Sequence, residues 1–237
     1  MALPKIQTPS FEVILPSTGD KLLYRPFLVK EEKILLVSKE SGETNEIYNA
    51  IKQVINNCIM TEDFDIDQCS TFDLEYLFIK IRAVSVGNIV KFKVVDSDDG
   101  IEYDLEVDLN EVEIKFPKDE ITKNIMLDEN TGLVMKYPTP KISDKISNLT
   151  SLSDITYELV KECIDYVFDE EDTYAWASES KEVQDDFLET LPVESYAKIA
   201  KFFQNLPKIE HAVFYTNSEG KEKKTVFRNL NDFFMLD

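Results

Sequence analysis

The period of the apolar positions changes along this chain, and the changes outline its elements. Two short apolar runs, FEVIL at 11–15 and KLLYRPF at 21–27, flank Ser17-Thr18-Gly19-Asp20 and predict a β-hairpin. Pro16 and Pro26 at its margins suit an edge rather than a central strand. A short helix is expected from Lys30 to Glu40. Glu31 and Glu32 fall in its first turn, where the helix dipole favours acid, and Ser41-Gly42 ends it. Over residues 44–58, Ile47, Ile51, Val54, Ile55 and Cys58 recur at helical spacing and predict a one-faced amphipathic helix. Residues 60–70 read as an acidic loop.

The stretch 71–87, TFDLEYLFIKIRAVSVG, is where the rest of the chain is anchored. It reads as a helix with Thr71 at the N-cap and Gly87 at the stop. At about 100° per residue, Asp73 and Lys80 share one narrow polar stripe, and Glu75 and Arg82 a second, nearly opposite. Leu74, Phe78 and Ile81 form one apolar face between them; Phe72, Tyr76, Ile79 and Ala83 form the other. A surface helix needs one such face. Two faces imply either a helix in the middle of a domain or one whose second face meets a partner chain.

After Gly87, alternation replaces the helical period. NIVKFKVVD and IEYDLEVDL around Asp98-Asp99-Gly100 predict a hairpin, and alternation persists in EVEIKF, NIMLD and GLVMKYP. Residues 88–138 therefore read as a run of antiparallel strands joined by short turns. Pro138 and Pro140 close it, and the polar residues that follow, 141–150, read as a linker. Helical spacing then returns in Leu152, Ile155, Leu159, Cys163 and Val167, with Ser151 and Asp154 as a capping box. Val183, Phe187, Leu188 and Leu191 mark another helix, and Val193, Tyr196, Ala200 and Phe203 one more. HAVFYT and KKTVFR around Ser218-Glu219-Gly220 predict a last hairpin, before an apolar Phe233-Phe234. The expected fold class is α+β: an N-terminal hairpin and helices, a central antiparallel region, and a C-terminal helical part with a final hairpin. The expected organisation is 1–140, a linker at 141–150, and 151–237, or else one continuous domain.

Charge narrows the partners. With 46 acidic against 26 basic residues the net charge is −20, which argues against nucleic acid or an anionic membrane. Hydrophobic content of 43%, with 15 Phe and 10 Tyr, is enough for a sizeable core and excludes a disordered acidic tail. MALPKIQTPS has no apolar h-region, so no signal peptide is expected, and no apolar run reaches the length of a membrane span. Cys58, Cys69 and Cys163 are widely spaced with no CxxC, which points to buried reduced thiols in a reducing cytoplasm.

Candidate chemistry is sparse. Asp63, Asp65 and Asp67 alternate like the start of a calcium loop, but Gln68 and Leu74 stand where that loop needs Gly and Glu. Asp96, Asp98 and Asp99 fall on a predicted turn, where Asp serves the backbone. The acids at 169–172 form a solvated loop or a dock for a basic partner. His211 is the single histidine, at a predicted strand start with no Cys or Ser arranged beside it. No catalytic, cofactor-binding or metal-binding residue is assigned, and an enzyme is not expected. A carboxylate-based hydrolase would need a cleft holding two carboxylates with oppositely shifted pKa values.

Four stretches resemble the baseplate hub proteins of T4-like contractile-tailed bacteriophages. They are PSTGDKLLYRPFLVKEEKILL at 16–36, TFDLEYLFIKIRAVSVG at 71–87, GLVMKYPT at 132–139, and FFQNLPKIEH at 202–211 with Asp232-Phe233-Phe234. They run in order across almost the whole chain; each is structural, and the combination is what is specific. The resemblance implies a non-enzymatic protein, without cofactor, needed to build the baseplate hub through protein–protein interfaces. Its partners would be other tail or hub proteins, with the tape-measure protein a candidate. Its place would be the host cytoplasm during assembly and, if it stays in the particle, the tail baseplate. The alternative is an assembly chaperone that binds the tape-measure protein or another hub subunit and is absent from the finished virion. Interface candidates are Phe72, Tyr76 and Ile79 on the second face of the 71–87 helix, and the Phe202-Phe203 and Phe233-Phe234 pairs.

Overall fold

In the computed structural model, which describes residues 6–117 and 123–234, β1 (Phe11–Ile14) and β2 (Lys21–Tyr24) pair as the expected antiparallel hairpin. Gly19 turns the chain at φ +79°, a value that glycine adopts without a Cβ clash. Helices α1 (Val29–Ser41) and α2 (Thr44–Cys58) follow, divided by a left-handed Gly42. The periodic residues of α2 are its buried ones: Ile47, Ile51, Val54, Ile55 and Cys58.

Helix α3 (Thr71–Val86) begins one residue earlier than expected, because Ser70 rather than Thr71 is its N-cap. The Ser70 hydroxyl accepts from the Asp73 N–H at 3.1 Å and donates to the Asp73 carboxylate at 2.7 Å. That reciprocal arrangement satisfies a helix-end donor and a buried acid together, which Thr71 could not do from inside the first turn. The fully buried Asp73 carboxylate also accepts from the backbone N–H of Ser17, at 3.0 Å, and from its hydroxyl. The β1–β2 turn is thereby tied to the start of α3.

Both apolar faces of α3 are covered by the chain itself. Leu74, Leu77, Phe78 and Ile81 pack with Val13 and Leu22 of the hairpin and Ile51, Val54 and Ile55 of α2. On the other side, Ile79 and Ala83 pack with Val90, Val107, Leu109, Ile209, Phe227 and Phe233. Of the two sequence readings, a helix in the middle of a domain is the one that holds. Each fully buried Leu, Ile or Phe here contributes about 2 kcal/mol of apolar burial.

The second face is closed by two hairpins, β3 (Ile89–Val95) with β4 (Glu102–Asp108) and β11 (His211–Thr216) with β12 (Glu222–Phe227), and by α8 (Leu230–Phe234). The expected single run of strands from 88 to 138 does not form. EVEIKF supplies only β5 (Ile114–Lys115), which pairs with β10 (Lys208–Ile209). The strands β6 (Asn124–Met126) and β7 (Gly132–Met135) join a separate four-stranded antiparallel sheet in the order β6-β7-β8-β9, with β8 (Ile164–Phe168) and β9 (Thr173–Ala175). Alternation identified strands here but not their neighbours.

By its contacts the chain forms two units, 1–115 with 208–237, and 116–207. The second is an insertion whose two ends leave the first at β5 and β10. Residues 141–150, expected as a linker, contain most of α4 (Pro140–Ile146), whose Ile142 and Ile146 belong to the core of the second unit. That core also takes Leu133, Met135, Val160, Ile164 and Trp176, with Ile199 and Phe202 of α7 (Val193–Gln204). Helix α5 (Leu152–Cys163) stops at Cys163, so Val167, expected on its face, lies in β8. Ser151 is the α5 N-cap by position, but it makes no side-chain cap bond; its hydroxyl meets that of Ser153 at 2.8 Å. Helix α6 (Lys181–Glu189) is capped by Ser180, whose hydroxyl accepts from the Val183 N–H.

Replacing Asp73 by Ala strips the acceptor from two hydroxyls and from the Ser17 N–H. The expected cost is about 3 kcal/mol of unfolding free energy, the range for a buried hydrogen-bonded carboxylate. Urea denaturation of Asp73→Ala against the wild type measures it; a loss below about 1 kcal/mol would show the turn-to-helix tie to be dispensable.

Candidate interaction surface

The seven residues proposed from sequence as interface lie mostly inside. Phe72, Ile79 and Phe233 are buried, as are Phe202 and Phe234; Tyr76 and Phe203 are half-buried and keep some surface. Phe234 sits against Phe78 with ring centroids 6.2 Å apart, and Phe233 against Phe227 at 5.2 Å, so the terminal Phe pair fills gaps on both sides of α3. Phe202 stacks on Tyr137 and meets Phe203 edge-on within the second unit.

Lys80, on the polar stripe of α3, donates to the carbonyls of Leu109, Asn110 and Val112 at 3.3, 2.9 and 3.1 Å. Its ammonium lies 5.0 Å from the Tyr76 ring centre, and burial pulls its pKa below the usual lysine value. Glu75, on the opposite stripe, accepts from the Leu230 N–H at the start of α8. Burial, with a smaller push from Asp232, raises its pKa from 4.5 to about 7. It borders a small pocket of about 140 Å³ with Ile47, Tyr48, Ile51 and Leu230.

The acids of the β3–β4 turn do more than shape the backbone. Asp96 Oδ1 accepts from the Asp98 N–H at 2.8 Å, as turn chemistry requires, while Oδ2 accepts from Tyr215 of the other hairpin, also at 2.8 Å. Asp99 Oδ2 accepts from Tyr103, at 2.7 Å, and from the Ser218 hydroxyl, at 2.8 Å, and those hydrogen bonds hold its pKa well below the carboxylate range. Asp98 pairs with Lys223 at 2.7 Å. The two hairpin tips are thus fastened to each other. Sequence reasoning missed this because Tyr215 and Ser218 lie 119 residues from their acceptors.

The other acidic runs are likewise in local use. Asp65 accepts from the Asp67 N–H at the start of a short 3₁₀ turn, and Asp67 pairs with Lys52 at 3.0 Å. Asp169 accepts from the N–H groups of Glu171 and Asp172, so residues 169–172 form the β8–β9 turn. His211 opens β11 opposite Phe227, and burial lowers its pKa. Among the described residues, no His, Cys, Asp and Glu group of three or more is arranged to hold a metal ion, and no helix is long and apolar enough to cross a membrane. The three thiols are free and buried, with pKa values pushed up to about 11 for Cys58 and about 12 for Cys69 and Cys163.

What remains on the surface is apolar in places. Val29, Leu36 and Val37 of α1 are 74, 52 and 66% exposed, with Val86 at 56%. Between α1 and α3 a groove of about 130 Å³ has apolar Phe27, Leu35, Leu36, Phe78, Val86 and Phe234 in its walls, with charged Glu32, Lys39 and Arg82.

The chain matches the family model described as T4 bacteriophage base plate protein over residues 8–235. No curated protein and no solved structure matches it.

Two outcomes follow from the buried ionisable groups. The folded-state pKa of Glu75 lies above its ordinary value, so its contribution is complete below about pH 4.5 and is lost as pH rises through about 7. Glu75→Gln should therefore gain about 2 kcal/mol over wild type near pH 8 and little near pH 4. Urea midpoints at both pH values decide it, and equal gains would rule out the raised pKa. The native cysteines should resist a thiol-labelling reagent near pH 7.5 and react once urea unfolds the chain. Stoichiometric labelling of the native protein would contradict their burial.

Proposed function

Because the chain belongs to the family of T4 bacteriophage base plate proteins, we propose that it is a non-enzymatic tail protein needed to build the baseplate hub, acting through protein–protein contacts. The family match across residues 8–235 carries this reading. Three structural features support it. The carboxylates of Asp96, Asp99 and Asp169 serve turns and hairpin tips, where they accept hydrogen bonds from the chain itself. The single histidine stands in a strand with a lowered pKa. Exposed apolar side chains on α1 supply contact area within a strongly acidic chain.

With a net charge of −20 the chain is repelled from acidic surfaces and attracted to basic ones, so its hub partner should present a basic face. The tape-measure protein is one candidate. An assembly factor that holds such a partner and leaves before the tail is complete is the second reading, and the same fold serves it.

Quantitative mass spectrometry of purified particles beside infected-cell lysate tests both. Peptides of this chain at a fixed ratio to hub subunits in particles are expected for a structural component. Abundance in lysate with none in particles would replace that role with the assembly-factor reading. Normal hub formation in infections lacking this chain would sink both.

A further inference from the structure

Helix α1 packs Ile34 and Leu35 against the core of the first unit, but its burial is mixed. It buries Glu31 and Ser38, at 0 and 5% exposure, and turns Val29, Leu36 and Val37 to solvent. The buried side is anchored by charge: Glu31 accepts from Arg25 at 3.1 Å and from the Leu28 N–H at 2.9 Å, and pairs with Lys30 at 3.3 Å. Ser38 closes onto the Leu35 carbonyl at 2.9 Å. With Glu31 fixed inward, the helical period turns Val29, Lys33, Leu36, Val37 and Glu40 outward together, within an arc of about 100°. All five are exposed.

The order of charges on that stripe is the informative part. A cation at Lys33 and an anion at Glu40 lie about equally far on either side of the midpoint between Leu36 and Val37. Reversed end for end, the stripe complements itself. Two such helices packed antiparallel about a two-fold axis at that midpoint set Leu36 of each against Val37 of the other. Lys33 of each then meets Glu40 of the other, twice over. An unrelated partner would not require this symmetry. We propose that the chain forms an isologous dimer through the outward face of α1, with a second copy of itself as the occupant of that face.

The contact of one 13-residue helix with its mate is smaller than the roughly 1,200 Å² at which stable interfaces begin. Net repulsion between two copies at −20 also opposes it. The dimer is therefore weak and appears with concentration. The dimer would use the α1 face named above as contact area, so a hub partner would bind elsewhere on the chain; the particle experiment can fail while the dimer stands, and the reverse.

Sedimentation equilibrium of the full chain, from about 1 µM to about 1 mM at about 0.15 M salt, where screening reaches within about 8 Å, tests the proposal. Wild type should pass from monomer to dimer. Leu36→Glu should stay monomeric, and Lys33→Glu or Glu40→Lys alone should weaken the dimer roughly tenfold. The double variant Lys33→Glu with Glu40→Lys exchanges the charges and should recover dimerisation. Circular dichroism of each variant confirms folding, since every changed position is exposed. A wild-type monomer throughout the range overturns the proposal and leaves the face to another protein. So does a dimer indifferent to Leu36→Glu, or a charge-exchanged variant no tighter than Lys33→Glu.

Discussion

A helix with apolar residues on two opposite faces is stable in water only if both are covered, and the architecture of the first unit follows from meeting that demand for α3. The hairpin β1–β2 and helix α2 cover one face, through Val13, Leu22, Ile51 and Val54. The hairpins β3–β4 and β11–β12 with Phe233 cover the other. The polar stripes between the faces are used as fasteners. Asp73 secures the first turn of the chain, Lys80 gathers three carbonyls after β4, and Glu75 receives the start of α8. Each of these three residues thus joins α3 to a segment beside it.

The acidity of the chain is spread over many local uses. Asp96, Asp128 and Asp169 accept backbone N–H groups in turns, which is the work that short acidic side chains do well. Hydrogen bonds of this kind lower carboxylate pKa values, so these residues hold their charge well into acid. The outcome is a base plate family member with acids spread along the chain and with exposed apolar side chains on several elements, α1 among them.

Local pattern made much of this legible. The α+β class, both terminal hairpins, α2 and the two-faced α3 followed from period and turn chemistry, since each is encoded within about 20 residues. Pairing across distance was not legible. The β5–β10 ladder pairs Lys115 with Lys208 and Ile114 with Ile209, more than 90 positions apart, and a two-residue strand is too short for its pattern to name its partner. Strand β8 follows α5 with no intervening breaker, so Val167 still fell on a helical face when counted at 3.6 residues per turn. The mixed burial of α1 was hidden for a related reason. KEEKILLVSKE has a normal composition for a helix, and only the placement of Arg25 reveals that Glu31 points inward.

The insertion has a consequence for the order in which this chain can fold. The first face of α3 is matched mainly by residues that precede it, and the second by Val90, Val107, Leu109 and Val112 before the insertion together with Ile209, Phe227 and Phe233 after it. On a ribosome adding about 5–20 residues per second, on the order of ten seconds separate the emergence of α3 from that of Phe227 and Phe233. During that interval the nascent chain carries an apolar surface at Ile79 and Ala83 that only the β3–β4 hairpin can cover, while the inserted unit, contiguous in sequence, is free to complete its own core. The finished protein hides this surface; the growing one must either shield it with a chaperone or tolerate partial cover until the C-terminal strands arrive.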